Sequence, residues 1–330
     1  MIITKTPYRI SFFGGGTDFP EWYLENGGKV ISSTFDKYCY ISLRELPPFF
    51  EHKHRIVYSK IEHVSILDQI EHPSVRETLK YFDIDKGLEI HHDGDLPARS
   101  GLGSSSSFTV GLIKALISNL GLYKDIADIA RIATSIEQDK IGEYVGSQDQ
   151  LIVTYGGLNI IDFYTDGNFS VEPIPISSKR KELLNDHLLL FFTGISRFSS
   201  EISKSQVENI SQNKLQLREI SDLTNQALKT LMSNDNIEDF GRLLNESWNI
   251  KKTLSKNITN NTIDQAYKEA MKAGALGGKI LGAGGGGFML IFAAPENHFK
   301  IKEALSSFTH VPFEFETEGT KVVLHQESGL

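Results

Sequence analysis

The sequence predicts an α+β fold in two domains, and three observations carry that reading. Its 330 residues are enough to bury two cores. Beyond residue 186 the periodicities run strand, helices, strand, helix, strand, strand, the order of an α+β layer. Between the halves, residues 172–186 mix Pro, Ser, Lys and Arg, so the division is expected at 1–180 and 181–330.

From the N-terminus, residues 2–13 have strand composition and are broken by Gly14-Gly-Gly-Thr-Asp18. Pro20 to Asn26 reads as a short helix stopped by Gly27-Gly28, and Lys29 to Leu43 as a strand. Pro47-Pro48 and the stretch to His54 form a loop before a strand at 55–59. His52, His54 and His63 lack carboxylate or cysteine companions at ligand spacing and are read as loop and surface histidines. Residues 75–82 look helical and 87–92 strand-like. Phe108, Leu112, Ala115 and Leu116 recur at helical period, and Val110, Ile113 and Ile117 fill much of the opposite face. That helix is therefore expected to be mostly buried, with Gly121 as its stop.

Asp125 caps a helix carrying Ile126, Ile129, Ala133 and Ile136, with Glu137 at the edge of that face. Residues 158–163 and 187–193 are strand-like, the latter followed by a loop from Gly194 to Ser200. A long polar helical stretch runs to Met232, and helices follow at 237–254 and 262–273. Gly282-Ala-Gly-Gly-Gly-Gly287 leads into a strand at 288–293. A helix after Pro295 and strands near 311–316 and 321–325 complete the pattern.

A composition of 40% hydrophobic and 23% charged residues is that of an ordinary globular protein. The net charge of -8 opposes nucleic acid and anionic membranes as partners. Cys39 is the only cysteine, which excludes an intrachain disulfide and a cysteine-rich zinc site. Met-Ile-Ile-Thr-Lys-Thr-Pro lacks the layout of a signal peptide, and no apolar run reaches membrane-spanning length, so a cytoplasmic location is expected.

The chemistry concentrates in Asp95-Leu-Pro-Ala-Arg-Ser-Gly-Leu-Gly-Ser-Ser-Ser-Ser107. Gly101 and Gly103 let the backbone approach a ligand closely. A glycine-rich loop that opens a buried helix aims unpaired N–H groups and the positive dipole end in one direction, which makes an anion site. Two other matches are set aside. Gly282, Gly284 and Gly287 satisfy G-x-G-x-x-G, but a helix is expected before them and a strand after, the reverse of a dinucleotide site. Asp239-Phe-Gly241 has no H-R-D loop or V-A-I-K lysine to accompany it.

Three glycine-rich pieces, Pro7 to Asp18, Leu96 to Ser107 and Lys279 to Gly287, together resemble the signature of the GHMP kinases. That family includes galactokinase, homoserine kinase, mevalonate kinase and phosphomevalonate kinase. The most specific piece is P-x-x-x-G-L-G-S-S at 97–105. The resemblance implies an N-terminal domain like ribosomal protein S5 domain 2, a ferredoxin-like C-terminal domain, and transfer of phosphoryl from ATP with Mg2+. It places ATP on Pro97, Gly101, Leu102, Gly103, Ser104, Ser105 and Ser106. It places Mg2+ on Ser105 (with Ser104 the neighbouring alternative) and on Glu137, through the pattern E…G-x-x-D-Q that ends in Gly146-Ser-Gln-Asp149-Gln150. Asp149 takes the position of the aspartate that removes the proton from the attacking hydroxyl, and Arg9 that of an arginine beside it. Thr17 and Asp18 match the sugar-kinase T-D pair and with Gly14 and Gly15 would bind the sugar, while Gly284 and Gly285 would close over it.

Within the family, Phe12-Phe-Gly-Gly-Gly-Thr-Asp18 differs from the galactokinase wording Gly-Glu-His-Thr-Asp. Together with Thr193-Gly-Ile-Ser-Arg-Phe-Ser-Ser-Glu201 it looks like the D-glycero-D-manno-heptose 7-phosphate kinases, which phosphorylate the anomeric hydroxyl on the route to nucleotide-activated heptose. An acceptor that already carries a phosphate needs a second anion site, for which Arg197 and Ser196 are candidates. An L-fucose or galactose 1-kinase, or a catalytically silent sugar sensor, are the alternatives. The expected partners are ATP and a sugar phosphate, and the oligomeric state is not indicated.

Overall fold

The computed structural model describes residues 1–195 and 199–326. The chain opens with β1 (Ile2–Phe13), α1 (Pro20–Asn26) and β2 (Gly28–Glu45), then β3 (His54–Val57), β4 (Ile61–Val64), α2 (Pro73–Tyr81) and β5 (Leu88–Gly94). Three helices come next, α3 (Ser104–Asn119), α4 (Ile126–Ser135) and α5 (Gln148–Tyr155). The hairpin β6 (Leu158–Phe163) and β7 (Phe169–Pro173) leads to α6 (Ser178–Asp186) and β8 (Leu188–Phe192). The second half continues with α7 (Ser199–Glu208), α8 (Lys214–Met232), α9 (Glu238–Lys251), α10 (Asn261–Lys272), β9 (Ala275–Ile280) and β10 (Phe288–Ala293). The last elements are α11 (His298–Ala304), β11 (Thr309–His310) and β12 (Lys321–His325).

Among the described residues these strands form two sheets, of eight and four strands. The larger runs β12-β1-β2-β5-β3-β4, and β6 with β7 branches from β2. This is possible because β2 is 18 residues long: residues 28–33 pair with β6 and 39–45 with β5. The smaller sheet runs β11-β8-β10-β9 and is antiparallel throughout. The architecture is the expected α+β one.

Helix α3 fixes the position of the site. Its Phe108, Val110, Leu112, Ile113, Ala115, Leu116 and Ile117 are all buried. Gly111 lets its backbone lie directly on β1, where Thr4 Oγ1 donates to the Gly111 carbonyl at 2.9 Å. A Cβ there would stand 2.9 Å from Thr6 Oγ1. The N-terminus of α3 is thereby held beside the middle of β1, at Arg9.

Several expectations change. Residues 172–186 are not a bare connection: they hold the end of β7 and all of α6, which Ser177 caps through a hydrogen bond from the Arg180 N–H. The chain does not keep to either side of residue 180, because β12 returns to pair with β1 in the first sheet. Residues 311–316 contain no named strand; β11 is confined to 309–310, and Phe315 makes an isolated bridge to Phe35. The long polar helical stretch is two helices, broken between 208 and 214. Residues 148–155 form α5, and 275–280 form a strand directly before the third glycine motif. The dinucleotide reading is therefore excluded by strand β10 after the glycines, where such a site requires a helix. No helix among the described residues is long and apolar enough to cross a membrane.

Candidate active site

Arg9 lies on β1 and is only 4% exposed. A buried guanidinium must be paired to be tolerated. Its Nε donates to Asp149 Oδ1 at 2.7 Å and its Nη2 to Asp149 Oδ2 at 2.6 Å. Its Nη1 donates to the Gly101 carbonyl at 2.5 Å, and its backbone N–H to the Leu102 carbonyl at 3.1 Å. The two-pronged contact fixes the plane of the carboxylate. One side chain thus ties β1, the glycine loop and the first turn of α5 together.

The loop needs its glycines here. Gly101 and Gly103 have φ of 83° and 72°, in the left-handed region. A Cβ on Gly103 would stand 3.1 Å from Arg9 Cγ and 3.3 Å from Asp149 Oδ2, so the carboxylate faces the loop with no side chain between. Gly103 is the N-cap of α3, and the first-turn N–H groups of Ser104 to Ser106 have no acceptor within the helix. Pro97 is exposed and does not line the cleft; its carbonyl accepts from Ser100 Oγ at 2.6 Å. The Leu102 side chain is wholly buried.

Glu137 is 1% exposed, deeper than the edge of a helical face. The cause is a single wide turn, Ile136–Lys140, in which the Ile141 N–H reaches back five residues to the Ile136 carbonyl. Ser106 Oγ donates to Glu137 Oε2 at 2.9 Å, and Gln150 Nε2 donates to the same oxygen. Oε1 has no partner among the described residues. Burial pushes the carboxyl up to about 7, against the opposing hydrogen bond from Gln150. Ser105, the expected companion of Glu137, is instead exposed on the cleft wall. Neighbouring helix residues diverge by about 100°, so only one of the two can face Glu137, and it is Ser106. An unpartnered buried carboxylate oxygen beside a hydroxyl suits a hard cation such as Mg2+ that keeps most of its waters. No cluster of three or more His, Cys, Asp or Glu that could hold a metal occurs among the described residues.

Asp18 is 3% exposed and accepts from the Gly16 N–H and from Gln148 Nε2, both at 2.8 Å. Burial pushes its carboxyl above the usual carboxylate range, and the nearby Asp149 adds to this. Gly146 makes room for it: a Cβ there would fall 1.9 Å from Asp18 Oδ2. Gly146→Ala is expected to displace Asp18, costing roughly 1–3 kcal/mol and raising the KM of the acceptor sugar. Thermal denaturation and steady-state kinetics check both effects.

Of the other expected sugar contacts, Gly15 lines the cleft, whereas Thr17, Gly14, Gly284 and Gly285 do not. Thr17 is consumed by the fold, donating to the Gly14 carbonyl at 2.8 Å and accepting from the Lys29 N–H at 3.2 Å. Gly14 packs on β2, where a Cβ would meet the Lys29 carbonyl at 1.9 Å. Gly284 and Gly285 turn to Ile258, whose carbonyl accepts from the Gly285 N–H at 2.6 Å. Within that motif it is Gly282 and Ala283 that line the cleft. Ser196 and Arg197 lie outside the described residues.

The third motif is seated on the second. A Cβ on Gly282 would come 2.8 Å from Gly101 Cα, and one on Gly287 2.0 Å from the Ser100 carbonyl oxygen, which accepts from the Phe288 N–H at 3.1 Å. The resulting cleft of about 900 Å³ draws its lining from both halves of the chain, including Arg9, Gly15, Asp18, Gly101, Asp149 and Gly282. Sequence reasoning missed Gln148 and Lys251 on its wall. It also missed Lys279, 4% exposed, whose Nζ donates to the Phe12 carbonyl at 2.9 Å. Burial, with Lys251 and Arg9 nearby, drives the Lys279 ammonium well below its ordinary range. A lysine inside an amphipathic helix or a strand carries no motif, and only the return of α9 to the cleft and of Lys279 to the β1 carbonyl of Phe12 gives these two their place.

Fold and cleft together are those of a small-molecule kinase. Residues 70–157 match the family model for the GHMP kinases N terminal domain and 225–310 the model for GHMP kinases C terminal. The chain belongs to the GHMP kinase family, and it is an ATP-dependent sugar kinase. It is 30% identical to the D-glycero-alpha-D-manno-heptose 7-phosphate kinase of Campylobacter jejuni, over 97% of this chain and 98% of that protein. The crystal structure of a putative sugar kinase from Campylobacter jejuni superposes with a TM-score of 0.72 at 26% identity, covering 97% of each chain. That of a D-glycero-D-manno-heptose 1-phosphate kinase from Bacteroides thetaiotaomicron gives a TM-score of 0.80 at 23% identity, covering 99% of this chain and 100% of the other, a likeness of fold.

Proposed function

We propose that this kinase transfers the γ-phosphoryl group of ATP to the anomeric hydroxyl of D-glycero-D-manno-heptose 7-phosphate, giving the 1,7-bisphosphate. The acceptor assignment is supported by the near full-length similarity to the Campylobacter jejuni enzyme. The chemistry is carried by one observation, the Asp149 carboxylate locked by Arg9 and facing Gly103.

In this reading the N–H groups of residues 101–106 hold the β- and γ-phosphates at the N-terminus of α3. Asp149 accepts the proton of the anomeric hydroxyl as its oxygen bonds to phosphorus and the bond to the ADP oxygen breaks. Each of its oxygens keeps a second lone pair for this task while Arg9 holds the first. Arg9 orients the base and offsets charge near the transferred group. Glu137, with the hydroxyl of Ser106 at hand, would hold Mg2+, which when bound neutralises phosphate charge. Asp18 accepts hydrogen bonds from sugar hydroxyls.

ADP release measured against heptose 7-phosphate, L-fucose and D-galactose tests the substrate. Turnover is expected with heptose 7-phosphate at a kcat/KM well above the two hexoses. Turnover of fucose or galactose with none of heptose 7-phosphate would overturn the acceptor assignment.

A further inference from the structure

Gly15 has no side chain, and three polar groups converge on the volume a Cβ would occupy. Lys251 Nζ stands 3.3 Å from that point, and Gln148 Nε2 and Ser11 Oγ each 3.9 Å. All four residues line the cleft, as does Asp18. Lys251 comes from α9 in the second half of the chain, while Ser11, Gly15 and Gln148 come from the first. Lys251 and Gln148 are each only 7% exposed, a costly placement for an ammonium and an amide.

The amide is half satisfied. Gln148 Nε2 donates to Asp18 Oδ2 at 2.8 Å, but Oε1 is buried and has no hydrogen-bond partner among the described residues. A buried amide acceptor without a donor is costly and calls for one from a ligand. The recess therefore sets an ammonium donor close to an unmet acceptor. A sugar hydroxyl can accept and donate at once, and so answers both.

We propose that Lys251 and Gln148, across Gly15, form the specificity recess for the acceptor sugar. Lys251 donates to a sugar oxygen, Gln148 Oε1 accepts from a hydroxyl, and Asp18 accepts from its neighbour. The second half of the chain thereby reads the sugar directly. The inference rests on the acceptor being a sugar held beside Asp149, and not on that sugar being heptose 7-phosphate.

Gly15→Ala is the cleanest probe. Gly15 is outside the left-handed region, so alanine fits its backbone, and the new methyl would press on Lys251 Nζ. The KM for the acceptor sugar is expected to rise about tenfold or more, the effect of one misplaced methyl in a fitted pocket, with the KM for ATP and the melting temperature nearly unchanged. Lys251→Met is expected to give the same rise in the sugar KM, with a lower melting temperature because its hydrogen bond to the Gly282 carbonyl is also lost, and partial recovery of both in Lys251→Arg.

Lys251 also donates to the Gly282 carbonyl at 2.9 Å, so a merely structural role predicts a different pattern. Loss of that staple would lower the melting temperature and raise the KM for ATP through the contact of Gly282 with Gly101. A rise in the KM for ATP with no larger rise in the sugar KM, or an unchanged sugar KM in both variants, overturns the proposal. The measurement uses whichever of heptose 7-phosphate, L-fucose and D-galactose the wild-type enzyme turns over fastest. A wrong acceptor assignment thus shows in the wild type, and a wrong recess only in the variants.

Discussion

Asp149→Asn is expected to keep ATP bound while turnover falls by roughly 10²–10⁴. Asparagine can still present an oxygen to Arg9 Nε, but it has no carboxylate to receive a proton. One arm of the contact also becomes two N–H donors facing each other, because Arg9 bonds both oxygens in the native pair. With Arg9 only 4% exposed, the unmatched guanidinium should lower the melting temperature as well. Calorimetric ATP binding beside an ADP-release assay separates these effects. Retained binding with lost turnover is the expected result, and unchanged turnover would remove Asp149 from the mechanism.

Glu137→Gln should separate stability from activity. The native carboxyl holds its proton up to about pH 7, whereas in the unfolded chain it ionises near 4.5. Between those values the folded state binds more protons, so this group's contribution to stability falls as pH rises through the window and is level above it. Removing the charge should stabilise the metal-free protein by about 3 kcal/mol at pH 8, with the gain vanishing below about pH 4.5. Glutamine keeps an oxygen for Ser106 and Gln150. Turnover with MgATP should nevertheless drop roughly 10²-fold or more, since a charged oxygen for the cation is gone. Denaturant unfolding with EDTA at pH 5 and pH 8, alongside kinetics, checks the pair of outcomes. A variant no more stable at pH 8 than the native chain would mean that Glu137 is not buried as described.

Much of this was legible because local chemistry and fold agreed. The glycine loop and the buried faces of helix α3 were readable from residue type and period. The same holds for β1, which stops at Gly14, and for β2, which opens at Gly28. The features that residue type and period did not reveal depend on tertiary context. Helix α5 begins within a motif already read as chemistry and has a weak apolar face. Strand β9 is Ala-Leu-Gly-Gly-Lys-Ile, a composition that signals no strand; its Gly277 is demanded by the α9 backbone, since a Cβ would lie 2.0 Å from the Gly241 carbonyl. The wide turn at 136–140 shifts Glu137 off the 3.6-residue period, so counting along the helix could not place it inside. The sequence points to Ser105, with Ser104 as the alternative, and not to Ser106 for a similar reason: the choice is made by the angle at which α3 meets Glu137.

The seating of residues 282–287 on 100–101 bears on how such a chain can drift over generations. Main chain rests on main chain there, so no side chain can be trimmed or swapped to loosen the joint by degrees. A single methyl at Gly287 would strike the Ser100 carbonyl, and no compensating change at Ser100 could make room, because the obstacle is common to every residue type. The two segments must therefore be inherited as mates, and variation in substrate choice has to be found elsewhere on the wall of the cleft.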